Sequence, residues 1–127
     1  MILLDSHVFY WWTTDNPQLS RGARAAIEDA SSEVGISAVV AWEIASKVRS
    51  GKWPEARILS ERFFETVQRY HFTLLPITAE HAHLAGSMAG RHRDPFDRML
   101  AAQSQIENVP LVTADPVFRA FRTRVLW

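Results

Sequence analysis

The stretch Met1-Ile2-Leu3-Leu4-Asp5 decides the predicted fold, because a short apolar run stops abruptly at an acid. Four consecutive apolar residues predict a strand that is buried on both faces, as strands are in a parallel sheet. The residues that follow, Ser6 to Trp12, predict a short helix before the turn signals around Pro17. A buried strand that leads into a helix favours an α/β fold.

The rest of the chain continues this alternation. Further strands are predicted at 34–37, 72–76, 109–113 and 125–127, and helices at 20–30, 38–50, 54–70, 78–89 and 95–107, with a helical turn at 117–121. Short strands that alternate with longer helices predict a three-layer α/β/α sandwich around a mostly parallel sheet of about five short strands. With no repeat and no linker, we expect a single domain over residues 1–127.

Composition excludes several classes of protein. The 127 residues are 47% apolar and 22% charged, which is typical of a globular domain rather than a disordered chain. No apolar stretch approaches the ~20 residues of a membrane span, and the start lacks the basic region of a signal peptide, so we expect a cytoplasmic protein. The absence of cysteine excludes disulfides, thiolate metal sites and a cysteine nucleophile.

The charge balance excludes nucleic-acid binding through bulk positive charge, because 14 basic residues face 14 acidic ones. The basic residues are nevertheless mostly arginine, and Lys47 and Lys52 are the only lysines. Arginine presents a planar fork that suits phosphate oxygens. The alternative interpretation is that these arginines are simply solvated at the surface.

Four acids lie near the ends of predicted elements: Asp5 and Asp115 follow strands, whereas Glu43 and Asp97 lie in helices. In open α/β sheets, ligands bind beyond the carboxyl ends of the strands, where the strand order reverses. Each acid also has a structural interpretation: Asp5 as a helix cap, Glu43 on a solvated helix edge, Asp97 at the positive end of its helix, and Asp115 in a turn. Asp94, before Pro95, is predicted to cap a helix.

Gathered in one place, these acids would require a cation. Two carboxylates 4 Å apart repel by roughly 4 kcal/mol at an effective dielectric constant near 20. A fold that gathers several must raise a pKa or bind a cation. Because the chain has no cysteine and no histidine pair at the spacing of zinc proteases, the donors are oxygens, which favour Mg²⁺ or Mn²⁺. The pattern indicates metal-dependent phosphoryl transfer.

Four segments together resemble the PIN domain and, more narrowly, the VapC toxins of bacterial toxin–antitoxin modules. They are Leu4-Asp5-Ser6-His7 with Trp11-Trp12, the segment 37–44 (SAVVAWEI), the segment 92–103 (HRDPFDRMLAAQ) and Leu111-Val112-Thr113-Ala114-Asp115. The resemblance covers essentially the whole chain, and the four segments occur in the family's order with suitable gaps.

The resemblance implies a Mg²⁺- or Mn²⁺-dependent endoribonuclease that acts on RNA, with tRNA as a candidate substrate, and that a cognate VapB-type antitoxin silences. It also implies a homodimer and a PIN-like fold. The family's acidic positions correspond to Asp5, Glu43, Asp97 and Asp115, with Asp5 and Asp97 as the principal metal ligands. Thr113 and Ser6 would support them, although many relatives have threonine where Ser6 stands.

Other side chains are candidates for contacts with RNA or protein. The candidate RNA-binding arginines are Arg91, Arg93 and Arg98, which flank the third acid; a solvated loop is the alternative. The aromatic residues 9–12 could stack on bases, but helical spacing favours packing for most of them. The helical faces with Trp42, Trp53, Phe63 and Phe64 exceed what one small core requires, so we predict contact with an antitoxin or a second copy there.

Two alternatives of other classes stay open. The first is a catalytically silent PIN-like module that only binds RNA or protein. The second is a phosphatase or phosphotransferase with Asp5 as a covalent nucleophile. That chemistry requires a second aspartate two residues further on, where this chain has His7. A receiver-like signalling domain lacks a candidate for its lysine after the last strands.

Overall fold

A five-stranded, entirely parallel sheet forms the centre of the protein, whose computed structural model describes residues 1–127. The strands are β1 (Ile2–Leu4), β2 (Val34–Ser37), β3 (Thr73–Leu75), β4 (Leu111–Val112) and β5 (Val125–Leu126). Their spatial order is β3-β2-β1-β4-β5. The predicted α/β fold with about five short parallel strands is therefore confirmed.

Eight α-helices connect and cover the strands. They are α1 (Ser6–Thr13), α2 (Arg21–Glu28), α3 (Ala38–Arg49), α4 (Arg57–Glu61), α5 (Phe63–Arg69), α6 (Ala79–Ser87), α7 (Pro95–Glu107) and α8 (Val117–Ala120), and a 3₁₀ turn covers Pro54–Ala56. None of the helices is both long enough and apolar enough to cross a bilayer.

The core surrounds the central strand β1, of which every residue is buried. Burial of consecutive residues means that both faces of the strand are covered, because successive side chains point to opposite faces. Gly35 of β2 lies opposite Leu3 of β1, and a Cβ atom at position 35 would stand 2.9 Å from Leu3 Cδ2. A larger residue at position 35 would therefore require the end of the Leu3 side chain to shift.

The prediction of one continuous helix over residues 54–70 is wrong. The chain forms the 3₁₀ turn, α4 and α5 in succession, with a break at Arg62, whose φ and ψ of −112° and 27° are not helical. Leu59, Phe63 and Val67 are buried at intervals of four residues, whereas Ile58 and Phe64 are exposed. The buried row is the one that an i, i+4 spacing turns toward the core.

The strand order reverses beside β1. Successive connections move outward from β1 to β2 and β3, and the chain then returns to the other side of β1 for β4 and β5. A crevice forms at such a reversal, beyond the carboxyl ends of the two central strands. Asp5 directly follows β1, and Thr113 and Asp115 follow β4, so all three stand at this crevice.

Candidate active site

A cleft of about 300 Å³ opens at the reversal of strand order and is lined by five carboxylates. They are Asp5, Glu43, Asp94, Asp97 and Asp115, and Ser6, His7, Trp11 and Lys47 are among the other lining residues. The four acids predicted from the sequence thus come from four separate segments and meet in one place. We call this the acidic cleft.

Asp5 serves both as a helix cap and as a wall of the acidic cleft. Its Oδ1 accepts a hydrogen bond of 2.8 Å from the backbone N–H of Val8, which caps α1. Its Oδ2 accepts a hydrogen bond from the hydroxyl of Thr113. Thr113 Oγ1 in turn accepts from the backbone N–H of Asp115 at 3.0 Å. The hydroxyl at position 113 therefore connects the ends of β1 and β4.

Glu43 lies on α3 and is only 4% exposed. Its Oε2 lies 2.5 Å from Nζ of Lys47, one helical turn further along α3. Residues at i and i+4 are neighbours on a helix surface, so this pairing follows from the sequence spacing. Burial alone would lower the pKa of Lys47, but the hydrogen bond and charge of Glu43 outweigh it and raise that pKa.

Asp97 lies in the first turn of α7 and pairs with a histidine from the preceding loop. Its Oδ2 lies 2.7 Å from Nε2 of His92. Asp94 caps the same helix, because its Oδ1 accepts from the backbone N–H groups of Phe96 and Asp97 at 2.8 and 3.1 Å. The predicted capping role of Asp94 is confirmed, and the cap places Asp97 at the cleft.

Burial shapes the acid–base properties of two of the carboxylates. It raises the pKa of Asp5 to about 6, with smaller contributions from the charges of Glu43 and Asp115, against the hydrogen bonds from Thr113 and Val8. It likewise raises the pKa of Asp97 to about 6, against the hydrogen bond with His92. Both shifts disfavour the negative charge, and a cation in the cleft would relieve that penalty.

The donor set fits a hard divalent cation. All the candidate donors are carboxylate oxygens, which Mg²⁺ and Mn²⁺ prefer. As the side chains stand, no three acidic or histidine groups are close enough together to hold one ion. Each acid instead has a protein partner, and Asp115 Oδ1 accepts from the backbone N–H of Val117 at 2.9 Å. Metal binding would therefore require some of these partners to give way.

The three candidate RNA-binding arginines lie with His92 around a second, broad depression beside the acidic cleft. Arg91 and Arg93 are exposed. Arg98 differs, because its Nε donates to the carbonyl of Ala85 at 2.7 Å and its two Nη atoms donate to the carbonyls of His92 and Met88. Arg98 therefore fastens the loop that carries His92 to α7.

The aromatic residues divide into core and surface. Of residues 9–12, Phe9 is fully buried, as expected for packing, whereas Trp11 reaches the acidic cleft. Trp53 is buried too, so its predicted role in a free contact surface is wrong, whereas Phe63 is buried but also lines an apolar groove at the surface. Both complete the core around α1, where Phe63 meets the ring of Phe9 edge-on.

An apolar groove remains at the edge of the sheet. Trp42 and Phe64 are 53% and 70% exposed. The groove is lined by Ala38, Ala41, Phe63, Phe64, Leu74, Leu75 and Pro76, and it runs along the edge strand β3. We call it the edge groove. Exposed apolar surface of this kind is typical of a protein contact.

Two residues of the site were not assigned a role from the sequence. The signal for Lys47 was available, because it stands four residues after Glu43 on a predicted helix. His92 carries no comparable signal in the sequence. Its pairing with Asp97 depends on the course of the loop between α6 and α7, for which no periodic pattern exists.

Known proteins match almost the whole length of this chain. The PIN domain family matches residues 2–123. Ribonuclease VapC22 of Mycobacterium tuberculosis is 33% identical over 124 residues, which cover 95% of this chain and 92% of that protein. A structure of FitAB bound to an IR36 DNA fragment aligns with a TM-score of 0.67 at 22% identity, over 98% of this chain and 93% of that one. A structure of VapBC2 from Rickettsia felis, bound to a promoter DNA fragment, aligns with a TM-score of 0.66 at 18% identity, over 98% of this chain and 97% of that one.

Proposed function

The chain belongs to the PIN domain family, and from this membership we propose that it is a Mg²⁺- or Mn²⁺-dependent endoribonuclease, the toxin of a toxin–antitoxin module. The observation that carries the proposal is the convergence of Asp5, Glu43, Asp97 and Asp115 in one cleft. The ribonuclease named among its relatives supports RNA as the substrate.

Asp5 and Asp97 are the residues that would hold the metal, and Glu43 and Asp115 would complete the acidic set. A divalent ion at such a site neutralises phosphate charge and lowers the pKa of a bound water. The chain's own part is to orient the ligands: Thr113 fixes Asp5, and His92 fixes Asp97. Buried Ser6 lines the cleft beside Asp5. We expect water, and not the RNA 2′-OH, to attack the phosphorus while the bond to the 3′ oxygen breaks, so that the products carry a 5′-phosphate and a 3′-hydroxyl.

The RNA backbone is expected to run from the acidic cleft toward Arg91 and Arg93. Both arginines are exposed, and His92 between them links their depression to Asp97. Phosphate contacts of this kind orient the strand without reading its sequence. Arg98 contributes indirectly, because three of its N–H groups already hold the loop.

The protein partner is an antitoxin of the VapB type, and the chain forms a homodimer. The structural relatives include toxin–antitoxin complexes, which supports the first part. The edge groove is the surface that we assign to one of these two contacts, because it is apolar and exposed.

The test is incubation of the purified chain with total RNA, with Mg²⁺, with Mn²⁺ and with EDTA, followed by mapping of the new 5′ ends. We expect cleavage with either metal and none with EDTA. Asp97→Asn should abolish cleavage, and Asp29→Asn, at an exposed acid outside the cleft, should not. Intact RNA under every condition, together with measurable metal binding, would instead favour the silent binding module.

A further inference from the structure

Lys47 is the only lysine or arginine that lines the acidic cleft. Its Nζ lies 2.5 Å from Glu43 Oε2 and 6.0 Å from the centroid of the Phe96 ring, at the start of α7. The ammonium group therefore reaches from α3 toward the helix that carries Asp97. The charges of Asp94 and Asp97 act on it as well as that of Glu43.

Glu43 depends on this cation. Its side chain is 5% exposed, against 27% for Lys47. A buried carboxylate without a partner is strongly destabilising, so Glu43 needs a positive charge whether or not metal is bound. A divalent ion that binds Glu43 meets the ammonium at short range, and like charges repel there. Metal and lysine consequently compete for the same carboxylate.

We propose that Lys47 is the resident counterion of the acidic cleft: it holds Glu43 until a divalent ion replaces it, and it then binds a phosphate oxygen of the RNA. This inference rests on the proposed ribonuclease function. The lysine stem is flexible and partly exposed, which allows the ammonium to leave Glu43 without movement of α3. An ammonium group freed beside a metal-binding cleft is suited to a phosphate as a point charge.

The first test measures metal affinity without RNA. We expect Lys47→Met to bind Mn²⁺ about tenfold more tightly than the unmodified chain, by titration of free Mn²⁺ in electron paramagnetic resonance, because the competing charge is gone. Lys52→Met is the matched control, since Lys52 is exposed and outside the cleft, and its affinity should not change. Equal or weaker Mn²⁺ binding by a folded Lys47→Met protein would overturn the competition.

The second test measures cleavage at saturating Mn²⁺, where the difference in metal affinity no longer matters. Lys47→Met should raise KM for RNA about fivefold, with a smaller effect on kcat. The negative slope of log(kcat/KM) against the logarithm of salt concentration should become shallower by about 0.7, as expected for one lost phosphate contact on a single strand. Lys47→Arg keeps the charge, so its KM for RNA should stay close to that of the unmodified chain. An unchanged KM and salt dependence would overturn the phosphate contact.

A third measurement needs no variant. Because the chain has only two lysines, ¹³Cε-labelled lysine gives two resonances. Mg²⁺ should shift that of Lys47 and leave that of Lys52 in place. If calorimetry shows Mg²⁺ binding and RNA is cut while neither resonance moves, the inference about Lys47 fails and the ribonuclease proposal stands. If the chain neither binds metal nor cuts RNA, both fail.

Discussion

The hydroxyl of Thr113 donates a hydrogen bond to Oδ2 of Asp5, and so joins two strand ends that lie 108 residues apart in the chain. The same oxygen of Thr113 accepts from the N–H of Asp115. One hydroxyl thereby positions two of the four acids proposed for catalysis. Asp5 is nearly fully buried, so the loss of this partner cannot be compensated freely by solvent.

Thr113→Val should lower the free energy of unfolding by about 2 kcal/mol at pH 7.5, because it leaves a buried carboxylate oxygen and a backbone N–H without partners. Thr113→Ser keeps the hydroxyl and should retain most of the stability. Urea unfolding of the three proteins measures the difference. Equal losses for valine and serine would show that the methyl group, and not the hydrogen bond, stabilises this site.

Asp97→Asn should make the metal-free protein more stable at pH 7.5. The folded-state pKa of Asp97 is raised to about 6, so the folded state favours the protonated carboxyl. The resulting contribution to the free energy of unfolding is complete below the ordinary pKa of 3.8 and is lost as the pH rises through 6. At pH 7.5 the charged side chain therefore costs up to about 3 kcal/mol, which asparagine removes. The gain, measured by urea unfolding in EDTA, should vanish near pH 4. A variant less stable than the unmodified protein at pH 7.5 would contradict this account.

Divalent metal should stabilise the folded chain. Mg²⁺ at about ten times its dissociation constant adds about 1.4 kcal/mol to the free energy of unfolding if it binds only the native state. We expect a rise in melting temperature with Mg²⁺ or Mn²⁺, and none with Na⁺ at the same ionic strength. Asp5→Asn should show a much smaller rise. A rise of equal size in Asp5→Asn would place the metal outside the acidic cleft.

Arg98→Ala should release the loop between α6 and α7. The side chain donates hydrogen bonds to three carbonyls, at Ala85, Met88 and His92. Without them, limited digestion with trypsin should become markedly faster after Arg91 and Arg93, which lie in this loop, and cleavage of RNA should fall because His92 no longer holds Asp97. Arg49→Ala serves as control for the loss of an arginine outside this loop. Digestion at an unchanged rate would mean that the loop is held by other contacts.

Phe64→Glu should weaken a protein contact and leave the fold intact. Phe64 is largely exposed in the edge groove, so a charge there costs the folded chain little but would be buried in an interface. Analytical ultracentrifugation measures self-association, and co-purification with the antitoxin measures the other contact. Ile58→Glu, at an equally apolar exposed residue outside the groove, is the matched control. If Phe64→Glu still self-associates and still binds the antitoxin, the edge groove is not the surface for either contact.

Local pattern was sufficient to predict much of this fold. The apolar run of β1 and the alternation of strands and helices predicted the parallel sheet, and the sequence also indicated that Asp5 and Asp94 cap helices. The break at Arg62 was not indicated, because neither proline nor glycine marks it.

The site was predictable in its acids but not in their partners. A carboxylate at a strand end carries a signal, because the carboxyl ends of parallel strands gather on one side of the sheet. The partner of each carboxylate depends on loops and on register between distant strands. His92 and Thr113 both satisfy acids from other segments of the structure, and only the assembled fold brings them there.

The placement of β1 between β2 and β4 has a consequence for biosynthesis. Asp5 emerges from the ribosome before the other three acids, and Thr113, which follows β4, is made 108 residues after it. A nascent chain that ends before β4 has neither the Thr113 hydroxyl that orients Asp5 nor the fourth acid, Asp115. In the ribonuclease that we propose, the catalytic centre is therefore complete only after β4 has been made.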